Sequence, residues 1–177
     1  MDKKIAGWDE ITESEVDKEN SLIYWWRHDK LEPLDNALNN MYNVVLCPRL
    51  PLYFDFLQYN SHKNGRKTGV KNGRKFNTSQ AVYNYPDSTH TFTTQENYLI
   101  KGIQGCLWTE KFKTNKQIDF MIYPRIFALS ESAWTEKTNK NYTRFESFLP
   151  QLYNYLDEKN IYYFNVLNDT LSLEPAF

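Results

Sequence analysis

Short apolar runs alternate with amphipathic stretches along most of the chain. Four of the apolar runs are rich in β-forming residues and predict buried strands. These runs are Lys4–Trp8, Ser21–Trp26, Asn43–Cys47 and Lys101–Trp108. Because each run is almost continuously apolar, it is typical of a strand in a parallel sheet that helices cover.

Apolar residues at helical spacing occur between and after these strands. Residues 33–42 predict a short helix that starts near Pro33, and two longer helical patterns follow the last strand. The three apolar faces contain Leu34, Ala37, Leu38 and Met41; Ile118, Met121, Ile122, Ile126, Leu129 and Ala133; and Phe145, Phe148, Leu149, Leu152 and Leu156. Pro124 and Pro150 are expected to bend or break the longer helices. The order of elements predicts an α/β fold, either a small open sheet or part of a barrel.

Residues 60–95 have a different character, because no acidic residue occurs between Asp55 and Asp87. The sequence Asn-Gly-Arg-Lys at 64–67 recurs at 72–75, and two Asn-Gly pairs indicate tight hairpin turns. The basic residues of this stretch are Lys63, Arg66, Lys67, Lys71, Arg74 and Lys75. We interpret 60–95 as a solvated, mobile and dispensable insertion, and a site for an anionic ligand is the alternative.

Composition and charge argue against several classes of protein. The chain has 177 residues, enough for one domain, and 21 basic against 22 acidic side chains give a net charge of −1. This balance argues against a nucleic-acid binder that depends on bulk charge. No apolar run reaches the roughly 18 residues of a membrane-spanning helix, and we expect no signal peptide. Cys47 and Cys106 fit neither a disulfide framework nor a common zinc spacing, so no metal or cofactor is expected.

Aromatic and acidic side chains gather where the predicted strands end. Such strand ends meet at one edge of a parallel sheet, where α/β proteins hold their chemistry. Aromatic rings stack on the apolar face of a sugar while carboxylates accept its hydroxyls, and the same groups could serve a nucleobase. The clusters are Trp8-Asp9-Glu10, Trp26-Arg27, Tyr53-Phe54-Asp55 and Trp108-Thr109-Glu110.

Alternation along extended backbone predicts which of these side chains point together. Tyr53 and Asp55 are expected on one face, and Trp108 and Glu110 likewise. The two carboxylate-bearing segments would then each present one ring and one acid.

Each cluster also has a simpler structural interpretation. Trp25 and Trp26 point in opposite directions, so one of them should belong to the core. Asp9 and Glu10 are adjacent, which is also typical of acids at the start of a helix. Core packing is the simpler interpretation for Trp8, Trp26 and Trp108.

Five motifs of this chain resemble, in order and spacing, the second half of the family 20 glycoside hydrolases, the β-N-acetylhexosaminidases. They are Gly-Trp-Asp-Glu at 7–10, Tyr-Trp-Trp-Arg at 24–27, Pro-Leu-Tyr-Phe-Asp at 51–55, Leu-Trp-Thr-Glu at 107–110 and Pro-Arg-Ile-Phe-Ala-Leu-Ser-Glu-Ser-Ala-Trp at 124–134. The resemblance covers about residues 4–165, although 60–95 match poorly.

This resemblance implies strands five to eight of a (β/α)₈ TIM barrel. Residues 1–165 would form the partial catalytic domain, interrupted by 60–95, and 166–177 a C-terminal tail. The catalytic Asp-Glu pair of the family follows strand four in a His-x-Gly-Gly-Asp-Glu run, which these residues do not contain. Asp9-Glu10 belongs to the strand-five motif instead. The strand-one arginine that binds substrate in the family has no counterpart here either.

The mechanism that the resemblance implies is substrate-assisted, with the 2-acetamido oxygen attacking the anomeric carbon. By resemblance, Tyr53 donates its hydroxyl to the acetamido oxygen, while Asp55 and Glu110 bind sugar hydroxyls. The walls of the sugar pocket would be Trp8, Trp26 and Trp108. Cys106 stands where a small polar residue is more common, which changes little because its side chain should lie outside the pocket.

Three functions follow as hypotheses. The first is a fragment of a β-N-acetylhexosaminidase that acts on N-acetylhexosamine-terminated glycans and is inactive alone. The second is a non-catalytic half-barrel remnant that binds sugar weakly, and the third is a single-stranded nucleic-acid binder. Export is common in the family, so the parent enzyme is a candidate for an exported or periplasmic location.

Two open sheet edges, at Lys4–Trp8 and Lys101–Trp108, would invite pairing with another chain, so we expect a symmetric homodimer. In the alternative, the tail folds over the uncovered face of the sheet, using Leu171, Leu173 and Phe177.

Overall fold

The computed structural model describes residues 3–14, 16–66, 76–88 and 90–176, and the chain divides into two compact units. The first unit comprises Met1–Leu52 and Pro86–Gln104, and the second comprises Tyr53–Tyr85 and Gly105–Phe177. In chain order, the strands are β1 Ile5–Trp8, β2 Ser21–Trp25, β3 Asn43–Leu46 and β4 Ile100–Ile103. The α-helices are α1 Glu32–Asn39, α2 Arg49–Leu52, α3 Ser79–Asn84, α4 Thr94–Leu99, α5 Asn115–Ile122, α6 Arg125–Trp134 and α7 Tyr142–Glu158.

A four-stranded parallel sheet forms the centre of the first unit, and its order is β1-β2-β3-β4. This arrangement confirms the predicted α/β fold with a parallel sheet. The edge strands are β1 and β4, as the sequence predicted. Side chains alternate along β2: Trp25 is fully buried, whereas Trp26, just beyond the strand, is only half-buried. The prediction that one tryptophan of this pair belongs to the core is therefore confirmed for Trp25.

The fourth strand is shorter than predicted, because β4 ends at Ile103 instead of Trp108. Beyond it, Cys106 makes an isolated parallel bridge with Tyr53 inside the second unit. Trp108 and Glu110 lie in irregular backbone, so the alternation argument does not apply to them. Cys47, just after β3, and Cys106 are both buried thiols.

The helix α1 packs its apolar face on β2 and β3, with Leu34, Ala37 and Leu38 buried. The predicted helix extended to residue 42, but α1 ends at Asn39. Met41 has a positive φ of 64° and is 47% exposed, so its assignment to the apolar face was wrong. The chain leaves the helix here to enter β3, which a helical periodicity alone does not reveal.

Helices build the second unit, with a core that includes Phe120, Met121 and Phe164. The helices α5 and α6 are separated at Pro124, which confirms the predicted break. Pro150 does not break its helix, because α7 continues through it from Tyr142 to Glu158. A proline removes only one backbone donor, and the buried face of α7 keeps the helix together. That face contains Phe145, Leu149, Tyr153 and Leu156, whereas Phe148 is half exposed, contrary to its predicted place on the apolar face.

The stretch predicted as an insertion contains the helix α3 and the start of α4 where the structure describes it. Val82 and Tyr83 of α3 are fully buried, and α3 packs against α6. The helix α4 begins with a capping box in which Thr93 and Glu96 exchange hydrogen bonds. The segment α3 is therefore packed and not solvated, whereas the insertion and its dispensability stay predictions, and residues 67–75 lie outside the described residues.

The C-terminal tail does not cover an apolar face with the leucines that the sequence suggested. Leu171 is 71% exposed and Leu173 is 75% exposed, and Phe177 lies outside the described residues. The tail is held by polar contacts of the second unit instead: Tyr162 donates to the Leu173 carbonyl at 2.7 Å, and Gln117 to the Ala176 carbonyl at 2.6 Å.

Candidate functional site

The candidate residues of the first unit follow β1 and β2. Trp8 ends β1 and contacts the Tyr24 ring at a centroid distance of 5.9 Å. Trp26 donates its indole N–H to the Glu10 carboxylate at 3.2 and 3.3 Å. The guanidinium of Arg49 lies 5.1 Å from the Trp26 ring centroid, which is a cation–π distance. Both tryptophans are half-buried, so neither is a fully packed core residue.

Asp9 and Glu10 begin a short 3₁₀ helix, Asp9–Glu13, as the helix-start interpretation predicted. Arg27 contacts both carboxylates, Asp9 at 2.7 Å and Glu10 at 3.1 Å. Burial raises the pKa of Asp9, although the Trp26 backbone N–H and the Arg27 guanidinium act against this shift. The two acids therefore position Trp26 and Arg27, which is a structural role for a carboxylate pair.

The candidate residues of the second unit lie around Tyr53 and Trp108. Their ring centroids are 6.2 Å apart, at a tilt of 51°. The backbone N–H of Phe54 donates to the Cys106 carbonyl at 2.6 Å, which joins the two segments that carry the candidates. Gly105 permits this close approach, because a Cβ there would lie 3.0 Å from the Phe54 ring and 3.1 Å from Leu129.

The two carboxylates of this cluster are linked by a residue that the sequence did not single out. Arg66 contacts Asp55 at 2.7 Å through Nε and Glu110 at 3.4 Å through Nη2. Asp55 is buried, whereas the side chain of Glu110 is 63% exposed. The structure therefore brings the four predicted residues of this unit into one cluster, which we name the Tyr53–Trp108 cluster: Tyr53, Asp55, Trp108 and Glu110, together with Arg66.

Electrostatics at Asp55 reflect its burial among cations. Burial raises the pKa of this carboxyl, while Arg66, the Trp108 backbone N–H and Arg125 act to lower it. Both oxygens of this carboxylate are buried, and the half-exposed guanidinium of Arg66 lies between Asp55 and the exposed Glu110.

Arg125 is fully buried and hydrogen-bonds the backbone next to the cluster. Its guanidinium donates to the carbonyls of Phe54, Phe56, Asn77 and Met121. Asn77 in turn donates its side-chain amide to the Tyr53 carbonyl at 2.8 Å. Reasoning from sequence missed this role, although an arginine inside the apolar pattern of residues 118–133 is a signal of a buried, hydrogen-bonded cation.

His62 is buried in the same unit among aromatic rings. Its ring lies 4.4 Å from Phe164 and 4.8 Å from Phe120, and its Nδ1 has no hydrogen-bond partner among the described residues. Burial, with the charge of Arg125 adding to it, lowers the pKa of His62 from 6.5 to about 4. The folded protein therefore keeps His62 neutral in mildly acidic solution.

Acid should destabilise the fold through His62. Between pH 6.5 and about 4 the unfolded chain takes up a proton at His62 that the folded chain does not, so stability falls as the pH falls through this window. The full loss is about 3 kcal/mol, and His62→Phe should remove it. Urea unfolding at a series of pH values measures the difference between the two proteins. A difference that stays constant between pH 7 and 4 would contradict the prediction.

Within the described parts of the chain, no group of three or more His, Cys, Asp or Glu residues could hold a metal ion. The helices of those same parts are also too short or too polar to cross a membrane.

Comparison with known proteins shows which family the chain resembles. The model of glycosyl hydrolase family 20, catalytic domain, matches residues 1–137. A β-hexosaminidase of Porphyromonas gingivalis is 26% identical over 144 residues, which are 81% of this chain and 18% of that protein. A β-N-acetylhexosaminidase of Cellulomonas fimi is 24% identical over 149 residues, 84% of this chain and 29% of that protein.

Solved structures agree with these relatives. The exo-β-N-acetylglucosaminidase of Vibrio harveyi, solved with N-acetylglucosamine, aligns with a TM-score of 0.75 and 29% identity. The alignment covers 91% of this chain and 24% of that structure. The β-N-acetylhexosaminidase of Streptomyces coelicolor has the same fold, with a TM-score of 0.78 at 20% identity over 92% of this chain and 33% of that one. These neighbours are TIM-barrel enzymes, of which the chain spans a third or less. The chain belongs to glycosyl hydrolase family 20.

Proposed function

We propose that the chain is the part of a β-N-acetylhexosaminidase that corresponds to strands five to eight of the barrel. It would bind the terminal N-acetylhexosamine of a glycan, while hydrolysis depends on an Asp-Glu pair that these 177 residues do not contain in the family's motif. The reaction would be substrate-assisted and retaining, as the family resemblance implies.

The Tyr53–Trp108 cluster is the observation that carries this proposal. It combines an aromatic ring that is 38% exposed, Trp108, with two carboxylates and a buried phenol. In the proposal Trp108 packs on the sugar ring, Asp55 and Glu110 accept its hydroxyls, and Tyr53 donates to the acetamido oxygen. Rings and carboxylates together suit a pyranose, which has one apolar face and a rim of hydroxyls.

For the first unit, the proposal rests on the family motifs. Trp8 and Trp26 are proposed as rings that contact the sugar because they match those motifs. Their partial exposure is compatible with this role. The hydrogen bond from Trp26 to Glu10 would fix the orientation of that indole.

Binding of N-acetylglucosamine to the purified chain tests the proposal. We expect weak but saturable binding, seen by NMR titration as shifts of the Trp108 indole signal. Tyr53→Phe should weaken it about 5- to 10-fold, since one hydrogen bond to the acetamido group is lost. Glucose lacks that group, so its binding should be the same in both proteins.

Tyr59→Phe is the matched control, because Tyr59 is an exposed phenol of the same unit. Equal loss of glucose and N-acetylglucosamine binding in Tyr53→Phe would argue against the acetamido role. No binding of either sugar to the wild type would overturn the proposed function.

The runner-up is a half-barrel remnant that binds sugar without taking part in catalysis. A coding sequence upstream of Met1 that contains the strand-four Asp-Glu motif would decide for the enzyme. For the isolated chain, self-association through the open edges of β1 and β4 also stays a prediction, which sedimentation analysis tests.

A further inference from the structure

Arg66 belongs to the basic stretch that the family resemblance matches poorly, and no family motif assigns it a role. Its backbone is nevertheless fixed beside Asp55. The Arg66 N–H donates to the Asp55 carbonyl at 2.7 Å, and the Arg66 carbonyl accepts from the Leu57 N–H at 3.1 Å. Residues 56 and 66 thus form a parallel bridge that holds the arginine against the candidate site.

The residue before it makes this approach possible. Gly65 has a φ of +151°, and a Cβ there would lie 2.8 Å from Leu57 Cδ2 and 3.1 Å from the Asp55 carbonyl oxygen. Only glycine adopts this backbone at such a close contact without strain. The glycine at position 65 therefore lets the backbone approach Asp55 directly before Arg66.

The C-terminal tail holds the same loop from its other end. The Glu174 carboxylate accepts hydrogen bonds from the backbone N–H groups of Lys63 and Asn64, each at 2.8 Å. Bonds of this charge-assisted kind are stronger than neutral ones. The loop that delivers Arg66 is thus fixed on both sides, at 63–64 by the tail and at 66 by the bridge.

The charges around Arg66 balance. Its guanidinium contacts the carboxylates of Asp55 and Glu110, and the buried guanidinium of Arg125 lies near enough to Asp55 to lower its pKa. Among the described residues that contact or face Asp55 and Glu110 here, the two carboxylates are matched by two guanidinium groups. Such a cluster suits an uncharged polar ligand better than an anion.

We propose that Arg66 is a further sugar-binding residue, which donates to ring hydroxyls that Asp55 and Glu110 accept from. A guanidinium has five N–H donors, and the two contacts to the carboxylates leave others for a ligand on a side chain that is 44% exposed. A hydroxyl both donates and accepts, so vicinal hydroxyls of a neutral pyranose fit a carboxylate–guanidinium–carboxylate row. The inference rests on the proposed function, because it assumes that the Tyr53–Trp108 cluster binds sugar.

Sugar titration of Arg66 variants tests this assignment. We expect Arg66→Gln to weaken N-acetylglucosamine binding about tenfold or more, since hydrogen bonds from charged donors are lost. The affinity of Arg66→Lys should lie between those of the wild type and Arg66→Gln, because an ammonium group cannot reproduce the planar, forked donors of a guanidinium. Arg144→Gln is the matched control: Arg144 contacts Glu131 at the same 3.4 Å, is 51% exposed and belongs to the same unit.

A second measurement needs no sugar. If Arg66 faces Asp55 in solution, Arg66→Gln should raise the pKa of the Asp55 carboxyl, which ¹³C NMR of the side chain follows, and Arg144→Gln should leave it unchanged. Unchanged sugar affinity in Arg66→Gln, with binding intact in the wild type, would overturn the role of Arg66 alone. If the wild type binds no sugar, the proposed function is overturned. If the pKa of Asp55 is the same in Arg66→Gln as in the wild type, the ion pair between Arg66 and Asp55 is absent in solution, and the assignment of Arg66 is overturned.

Discussion

The purified chain should not hydrolyse an aryl N-acetyl-β-glucosaminide at a measurable rate. It lacks the family's His-x-Gly-Gly-Asp-Glu run, and Asp9 and Glu10 are engaged with Trp26 and Arg27. Without a general acid the loss is typically 10²- to 10⁴-fold, and the absence of a carboxylate that orients the acetamido group adds to it. Release of the aryl alcohol, followed by absorbance, measures the rate.

A complete family member assayed under the same conditions is the positive control. Turnover by the chain at a comparable rate would contradict the prediction. In that case Asp9→Asn and Glu10→Gln would show whether this pair acts as the acid after all. A loss of turnover in Glu110→Gln would instead place an essential binding contact at the Tyr53–Trp108 cluster.

Replacement of Arg125 by leucine should destabilise the second unit by about 3–5 kcal/mol. The leucine would leave the carbonyls of Phe54, Phe56 and Asn77 buried without their donor. Burial lowers the pKa of Arg125 to about 9, so the guanidinium is still charged near pH 7 and its hydrogen bonds are charge-assisted. Urea unfolding followed by tryptophan fluorescence measures the change.

Arg144→Leu is the control for this substitution, because Arg144 is half exposed and its loss should change stability by less than about 0.5 kcal/mol. Arg125→Lys keeps the charge but reaches fewer carbonyls, so it should fall between the wild type and the leucine variant. If the free energy of unfolding of Arg125→Leu lies within about 1 kcal/mol of the wild-type value, water must hydrogen-bond the carbonyls instead. Arg125 would then not be needed to stabilise this unit.

Local patterns in the sequence predicted the parts of the fold that local interactions determine. Buried strands are recognisable because β2 contains four consecutive apolar residues and β3 contains three, and the break at Pro124 follows from the geometry of proline. The end of β4 was not predictable in this way, because Cys106 pairs with Tyr53, about fifty residues earlier in the chain. Pairings over such distances leave no periodic signal.

In the candidate site, too, some residues could be predicted from the sequence and others depend on contacts between distant parts of the chain. Tyr53, Asp55, Trp108 and Glu110 stood out by residue type and by their motifs, and the structure brings them together. Arg66 did not stand out, since it is one of several basic residues in a polar stretch. Its role depends on a bridge between residues 56 and 66 and on a glycine at 65, and neither is visible in composition.

Each compact unit contains one buried cysteine, whose reaction with a thiol reagent can be used to follow the opening of that unit. Cys47 lies in the first unit with no exposure, and Cys106 lies in the second with 8% exposure. A thiol reagent reaches a buried cysteine only when the surrounding structure opens, so the labelling rate of each follows the opening of its own unit. Mass spectrometry of the two peptides therefore distinguishes independent opening of the units from cooperative unfolding of the whole chain, without any substitution.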